Sequence, residues 1–142
     1  MNARFVLLVL VLGMCSSAMA CSIVGLEHEV KFEPSSATPS SGELRKLVDW
    51  YIDKRDGPQG ILETTVYSRS RKGSAASAAL TGQRASLVMG LIKSLNEAKP
   101  APLTANTRAI VTPRSETYDT VVVGTQPVCA KTQSCCGGPI KP

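Results

Sequence analysis

The hydrophobic period of this chain switches between two residues and about 3.6, and the order of those switches constrains the fold more than any other feature. In V-G-L-E-H-E-V-K-F, Val24 to Phe32, Val24, Leu26, His28, Val30 and Phe32 share one face and Glu27, Glu29 and Lys31 the other. That alternation predicts a half-buried strand. The Pro and Ser cluster E-P-S-S-A-T-P-S-S-G-E-L, Glu33 to Leu44, reads as a loop that ends in an S-x-x-E capping box, Ser40 with Glu43. Leu44, Leu47, Val48 and Tyr51 then recur at helical spacing, and Trp50 and Ile52 widen the apolar surface. A helix is expected from Ser41 to about Lys54, ended by R-D-G-P, Arg55 to Pro58.

I-L-E-T-T-V-Y-S, Ile61 to Ser68, is rich in β-branched and aromatic residues and predicts a second strand. R-S-R-K-G-S, Arg69 to Ser74, reads as a polar loop, and the A-S-A-A after it as an irregular turn. The second helix is L-T-G-Q-R-A-S-L-V-M-G-L-I-K-S-L, Leu80 to Leu95, with Thr81 as its expected N-cap and a stop near Lys99 to Pro102. Thr107 to Thr112 and Tyr118 to Thr125 are the third and fourth strands. The order β-α-β-α-β-β predicts a two-layer α+β sandwich, a small sheet with two helices on one face.

Both ends lie outside this pattern. Arg4, the apolar run Phe5 to Leu12 and the small residues ending in A-M-A, Ala18 to Ala20, form a secretory signal over residues 1–20, too short to span a membrane. One domain over residues 21–128 and a Cys-rich tail over 129–142 remain. Cleavage after Ala20 makes Cys21 the first residue. S-A-M-A-C resembles a lipoprotein signal in which Cys21 is acylated; alternatively Cys21 keeps its thiol and pairs. In the tail, Cys129 bonds Cys135 or Cys136, because adjacent Cys135 and Cys136 meet disulfide geometry only with strain. No metal site is expected, since the tail has no nearby His and no C-x-x-C.

The chain carries 16 basic and 11 acidic residues, and loss of Arg4 leaves +4. A mildly basic exported domain favours anionic envelope partners. Nucleic acid is excluded by compartment and by an aromatic content of 4%, and a membrane would be met only through a lipid on Cys21. The single histidine, His28, sits on a strand with no second catalytic group beside it. No G-x-S-x-G, H-E-x-x-H or P-loop occurs, so neither an enzyme nor a cofactor is expected.

Arg84 is the outlier. At about 100° per residue, Leu80, Arg84, Leu87, Leu91 and Leu95 fall within an arc of about 80°. Four belong in a core, whereas a permanent charge is rarely buried without a partner. With Thr81 as cap, Arg84 would lie in the first turn, where a cation opposes the helix dipole unless an anion sits in front of it. Arg69, Arg71 and Lys72 would form a basic rim around that end. The internal alternative is a pair with Asp49, Asp53, Asp56 or the C-terminus.

V-K-F, Val30 to Phe32, then S-S-A-T, Ser35 to Thr38, then L-T-G-Q-R-A-S-L-V, Leu80 to Val88, together resemble the OmpA-like domain of bacterial envelope proteins, over roughly Val30 to Lys99. The resemblance implies peptidoglycan binding without catalysis. It places Arg84 on the Arg that holds a diaminopimelate carboxylate and Thr81 on the family's Ser. It also places Arg69, flanked by Ser68 and Ser70, where the family has an Asp for the ligand's ammonium, and Ser77 where it has an Asn. The family's Asn-Arg-Arg-Val type ending is missing, and its third helix is lost or reduced to Pro113 to Thr117. An Arg in place of that Asp reverses a charge contact of about 4 kcal/mol at 4 Å and an effective dielectric near 20.

The candidate ligand site is therefore Arg84, Thr81 and Arg69, on a module that contacts peptidoglycan or another anionic envelope polymer lacking the ammonium. The alternative is a periplasmic protein-interaction component, in a secretion or envelope assembly or as an inhibitor of an exported enzyme.

Overall fold

The computed structural model describes residues 25–71, 73–110, 120–132 and 134–135. The signal over 1–20, Cys21, Lys72, the Pro113–Thr117 segment and Cys136 lie outside the described residues. The elements are β1 (Glu27–Lys31), α1 (Ser41–Asp56), β2 (Glu63–Arg71), α2 (Ala75–Asn96), β3 (Leu103–Ile110) and β4 (Thr120–Gln126), then a 3-10 turn over Val128–Thr132. The order matches the β-α-β-α-β-β expectation, and the fold is the expected α+β type.

The four strands form one sheet in the order β1-β4-β2-β3. β2 and β3 are parallel, and β4 runs antiparallel to both β1 and β2. Val30, Val66, Val121 and Val123 are fully buried on one face, against Leu47 and Tyr51 of α1 and Val88 and Ile92 of α2. Both helices thus cover the same face. Each such apolar side chain contributes about 1.5–3 kcal/mol by leaving water. On the other face Tyr67 is exposed and spreads over Gly124, where an added Cβ would stand 3.1 Å from the ring.

Ser40 caps α1 as the box predicts, its Oγ accepting from Glu43 N at 3.2 Å. The Glu43 carboxylate completes a different bond, accepting from Lys31 N at 3.2 Å and tying α1 to β1.

Three boundaries correct the sequence reading, and the first is that β3 starts at Leu103, not Thr107. β2 runs through Arg71, so Arg69 to Arg71 is strand and not loop. α2 begins at Ala75, capped by Ser74, whose Oγ accepts from Ser77 N at 3.2 Å. The A-S-A-A stretch read as a turn is helix, because Ser74 is the better-placed cap and alanine has the highest helix propensity. Cys129 and Cys135 form the tail disulfide, with Cα atoms 5.3 Å apart.

A polar network lies under the core. Tyr51 Oη donates to Asn96 Oδ1 at 3.0 Å and lies 3.2 Å from Thr64 Oγ1, and Asn96 Nδ2 donates to Ala101 O at 2.7 Å. Burial pushes the Tyr51 phenol up, with the Thr64 contact and Arg55 opposing it. At the same end of the sandwich, Asp56 pairs with Arg55 at 2.8 Å and Lys99 at 2.9 Å. The Arg55 and Lys99 hydrogen bonds hold its carboxyl well below the usual carboxylate range.

Candidate functional site

The corrected start of α2 moves Arg84 from the first turn to the third. The expected cradle of free helix N–H groups is therefore not beside it, and Thr81 is not a cap. Thr81 is buried on the inner face of α2, and its hydroxyl donates to Arg69 O at 3.2 Å. This fastens α2 to the last residues of β2. Ser77 Oγ does the same one turn earlier, accepting from Arg71 N at 2.9 Å.

Arg84 is 2% exposed. Its side chain crosses from α2 to the segment joining β1 and α1. There Nε donates to Ser36 O at 2.8 Å and Nη2 to Glu33 O at 2.9 Å. The guanidinium carbon stands 4.9 Å from the centroid of the Phe32 ring. A charge taken out of water needs such compensation, and here main-chain carbonyls and an aromatic face supply it. The aspartates on α1 proposed as internal partners are used otherwise in one case: Asp56 serves Arg55 and Lys99.

The segment beneath the guanidinium is a tight turn. Ser36 N donates to Glu33 O at 3.0 Å, Pro34 holds the second position, and Ser35 in the third has φ of 65°. That is the pattern of a type II turn, which normally places Gly or Asn at the third position. Ser36 Oγ then bridges to Thr38, donating to its O at 2.8 Å and accepting from its N at 3.1 Å.

Arg69 does not join this cluster. Along β2, Ser68 and Ser70 point into the helix layer while Arg69 and Arg71 are exposed on the opposite face. Only the main-chain carbonyl of Arg69 reaches the site, through Thr81. The expected basic rim around Arg84 is corrected accordingly for Arg69 and Arg71: once β2 extends to Arg71, strand alternation turns both side chains away. The site is therefore Arg84, Thr81 and the Phe32–Ser36 segment. Sequence reasoning missed that segment's role, although Pro34 at a turn's second position was a visible signal.

His28 lies at the rim of the helix layer, stacked on Trp50 with ring centroids 5.3 Å apart. Its Nε2 is buried and has no hydrogen-bond partner among the described residues. Burial lowers its pKa, with Glu43 opposing and Lys46 adding to the shift. The folded chain thus resists a proton that the unfolded chain accepts below about pH 6.5. Stability is expected to be complete about a unit above that pH and to fall as pH drops from 7.5 to 5.5. Urea midpoints should show this slope in the wild type and lose most of it in His28→Gln; an unchanged slope in the variant would refute the assignment.

Among the described residues no group of three or more His, Cys, Asp or Glu could hold a metal ion, and no helix is long and apolar enough to cross a membrane.

No family model matches this sequence, and no curated protein matches it. Solved structures do resemble it. The cell wall anchor of the T6SS from Pseudomonas aeruginosa aligns over 71% of this chain and 80% of its own, with a TM-score of 0.51 and 17% identity. This chain has the fold of that anchor. The OmpA-like domain of FopA1 from Francisella tularensis subsp. tularensis SCHU S4 aligns over 75% of this chain and 80% of its own, with a TM-score of 0.48 and 15% identity. Within this fold, Arg84 and Thr81 lie one helical turn apart on the buried face of α2, and the β1–α1 turn closes over the guanidinium.

Proposed function

We propose that this chain is a non-catalytic binding module of the bacterial cell envelope, which holds peptidoglycan or another anionic envelope polymer through Arg84. The observation that carries the reading is a permanent charge on the inner face of α2, reaching the β1–α1 turn at the end of the sheet. The described likeness to a T6SS cell wall anchor supports the same compartment and class of ligand. In this reading residues 1–20 direct export, the module spans 21–128, and a lipid on Cys21 would tether it to the outer membrane.

Among the described residues the inward positions at the end of β2 hold Ser68 and Ser70, with no carboxylate there for an ammonium. The favoured ligand is therefore recognised by its carboxylate alone. Purified sacculi should retain the wild-type domain and retain Arg84→Lys about ten-fold less, the loss of one bidentate charge-assisted contact being worth about 1.4 kcal/mol or more. Equal retention of the two proteins would overturn the reading.

A second reading, docking of a protein partner, draws on the open sheet face and its exposed Tyr67. Stoichiometric co-purification of one partner, lost in Tyr67→Ala, would support it over the first.

A further inference from the structure

The Nε and Nη2 hydrogens of Arg84 lie along one edge of the guanidinium, the edge that a carboxylate takes with both oxygens. In this structure two oxygens already lie on it: the carbonyls of Glu33 and Ser36, at 2.9 and 2.8 Å. They are the two ends of a single turn, closed by Ser36 N donating to Glu33 O. Phe32 covers the guanidinium from the side, and the residue is 2% exposed. A ligand carboxylate cannot share that edge with the turn. The turn itself is held at a disadvantage, because Ser35 has φ of 65°, a left-handed conformation that costs any residue with a Cβ.

We propose that the Glu33–Ser36 turn is a latch: its two carbonyls stand in for the ligand carboxylate on Arg84, and binding requires the turn to swing out and release the strain at Ser35. The inference rests on the Arg84 reading above and adds the regulation of that site. It makes one demand that simple binding does not. Apparent affinity is reduced by the fraction of molecules that are latched, so whatever stabilises the closed turn must weaken binding.

Position 35 can push the latch both ways. Ser35→Gly removes the φ penalty and tightens the closed turn, whereas Ser35→Val, β-branched at positive φ, loosens it. The probe is a muropeptide, a soluble disaccharide-peptide with free stem-peptide carboxylates, titrated calorimetrically into each full-length mature protein. Ser35→Gly should raise the Tm and weaken binding about five-fold; Ser35→Val should lower the Tm and strengthen binding by a similar factor. Pro34→Ala, which unlocks the second turn position, is the substitute if the Val variant does not fold, and it should also bind more tightly. Hydrogen exchange at the Ser36 amide should quicken when muropeptide binds.

If Arg84→Lys loses binding while the position-35 variants share one affinity, the latch is refuted and the Arg84 reading stands. If Arg84→Lys binds like the wild type, both fall. If no protein in the series binds, both fall as well; binding by Ser35→Val with none by the wild type supports the latch.

Discussion

Arg84→Ala is expected to lower the unfolding free energy by about 3 kcal/mol, measured by urea unfolding with circular dichroism. Two effects combine. The carbonyls of Glu33 and Ser36 lose charged donors at 2.9 and 2.8 Å, each such bond contributing about 1.5–3 kcal/mol, although Glu33 O keeps the Ser36 amide. The long side chain also leaves space between α2 and the Phe32 ring that the surroundings refill only partly. Arg84→Lys should lose roughly half as much, since a point charge reaches one carbonyl but cannot bridge both ends of the turn. A variant within about 0.5 kcal/mol of the wild type would show that the guanidinium contributes nothing net to the fold, as some buried charges do.

Asn96→Ala is expected to cost about as much, roughly 2–4 kcal/mol, for a different reason. Asn96 is the last residue of α2 and joins three elements: it accepts from Tyr51 of α1 and donates to Ala101 O ahead of β3. Its removal strands a buried phenol and a carbonyl at once. Tyr51→Phe should cost less, about 1 kcal/mol, because it removes one hydroxyl and leaves Asn96 its bond to Ala101 O. The double variant should cost less than the sum, since both single changes break the same Tyr51–Asn96 bond. Strict additivity in the denaturation midpoints would mean that the network does not act as a unit.

The strands and α1 were legible because each buries one face, and Val30, Leu47, Tyr51, Val121 and Val123 carry that periodicity. On α2 the stripe read through Leu80, Leu87, Leu91 and Leu95 is only half-buried, and Val88 and Ile92, one position further on, enter the core instead. The start of α2 was not legible. Ser74 and Thr81 are both credible caps by chemistry, and the choice depended on seven residues whose Ala and Ser content gives a weak apolar stripe. That one misplacement also changed the environment assigned to Arg84, from a helix end facing an anion to a buried side chain facing its own backbone. Arg69 was assigned to the site by counting along a loop, and the loop proved to be strand, where neighbours alternate faces. Of the latch only Pro34 was visible, as a turn residue: main-chain carbonyls leave no mark on a sequence, and Ser35 is not a residue whose presence announces positive φ. The Tyr51–Asn96–Thr64 network was invisible for a related reason, since it joins positions up to 45 apart.

The sheet has a kinetic consequence. β4, the last of the described strands, lies between β1 and β2, so β1 has no strand neighbour until β4 joins it; Thr125 and Leu26 meet across 99 positions. Closing so long a span is slow compared with forming a helix, and it comes late by necessity. A chain cut before Thr120 would therefore leave the edge of β1 unpaired, with only α1 holding it against the rest of the fold.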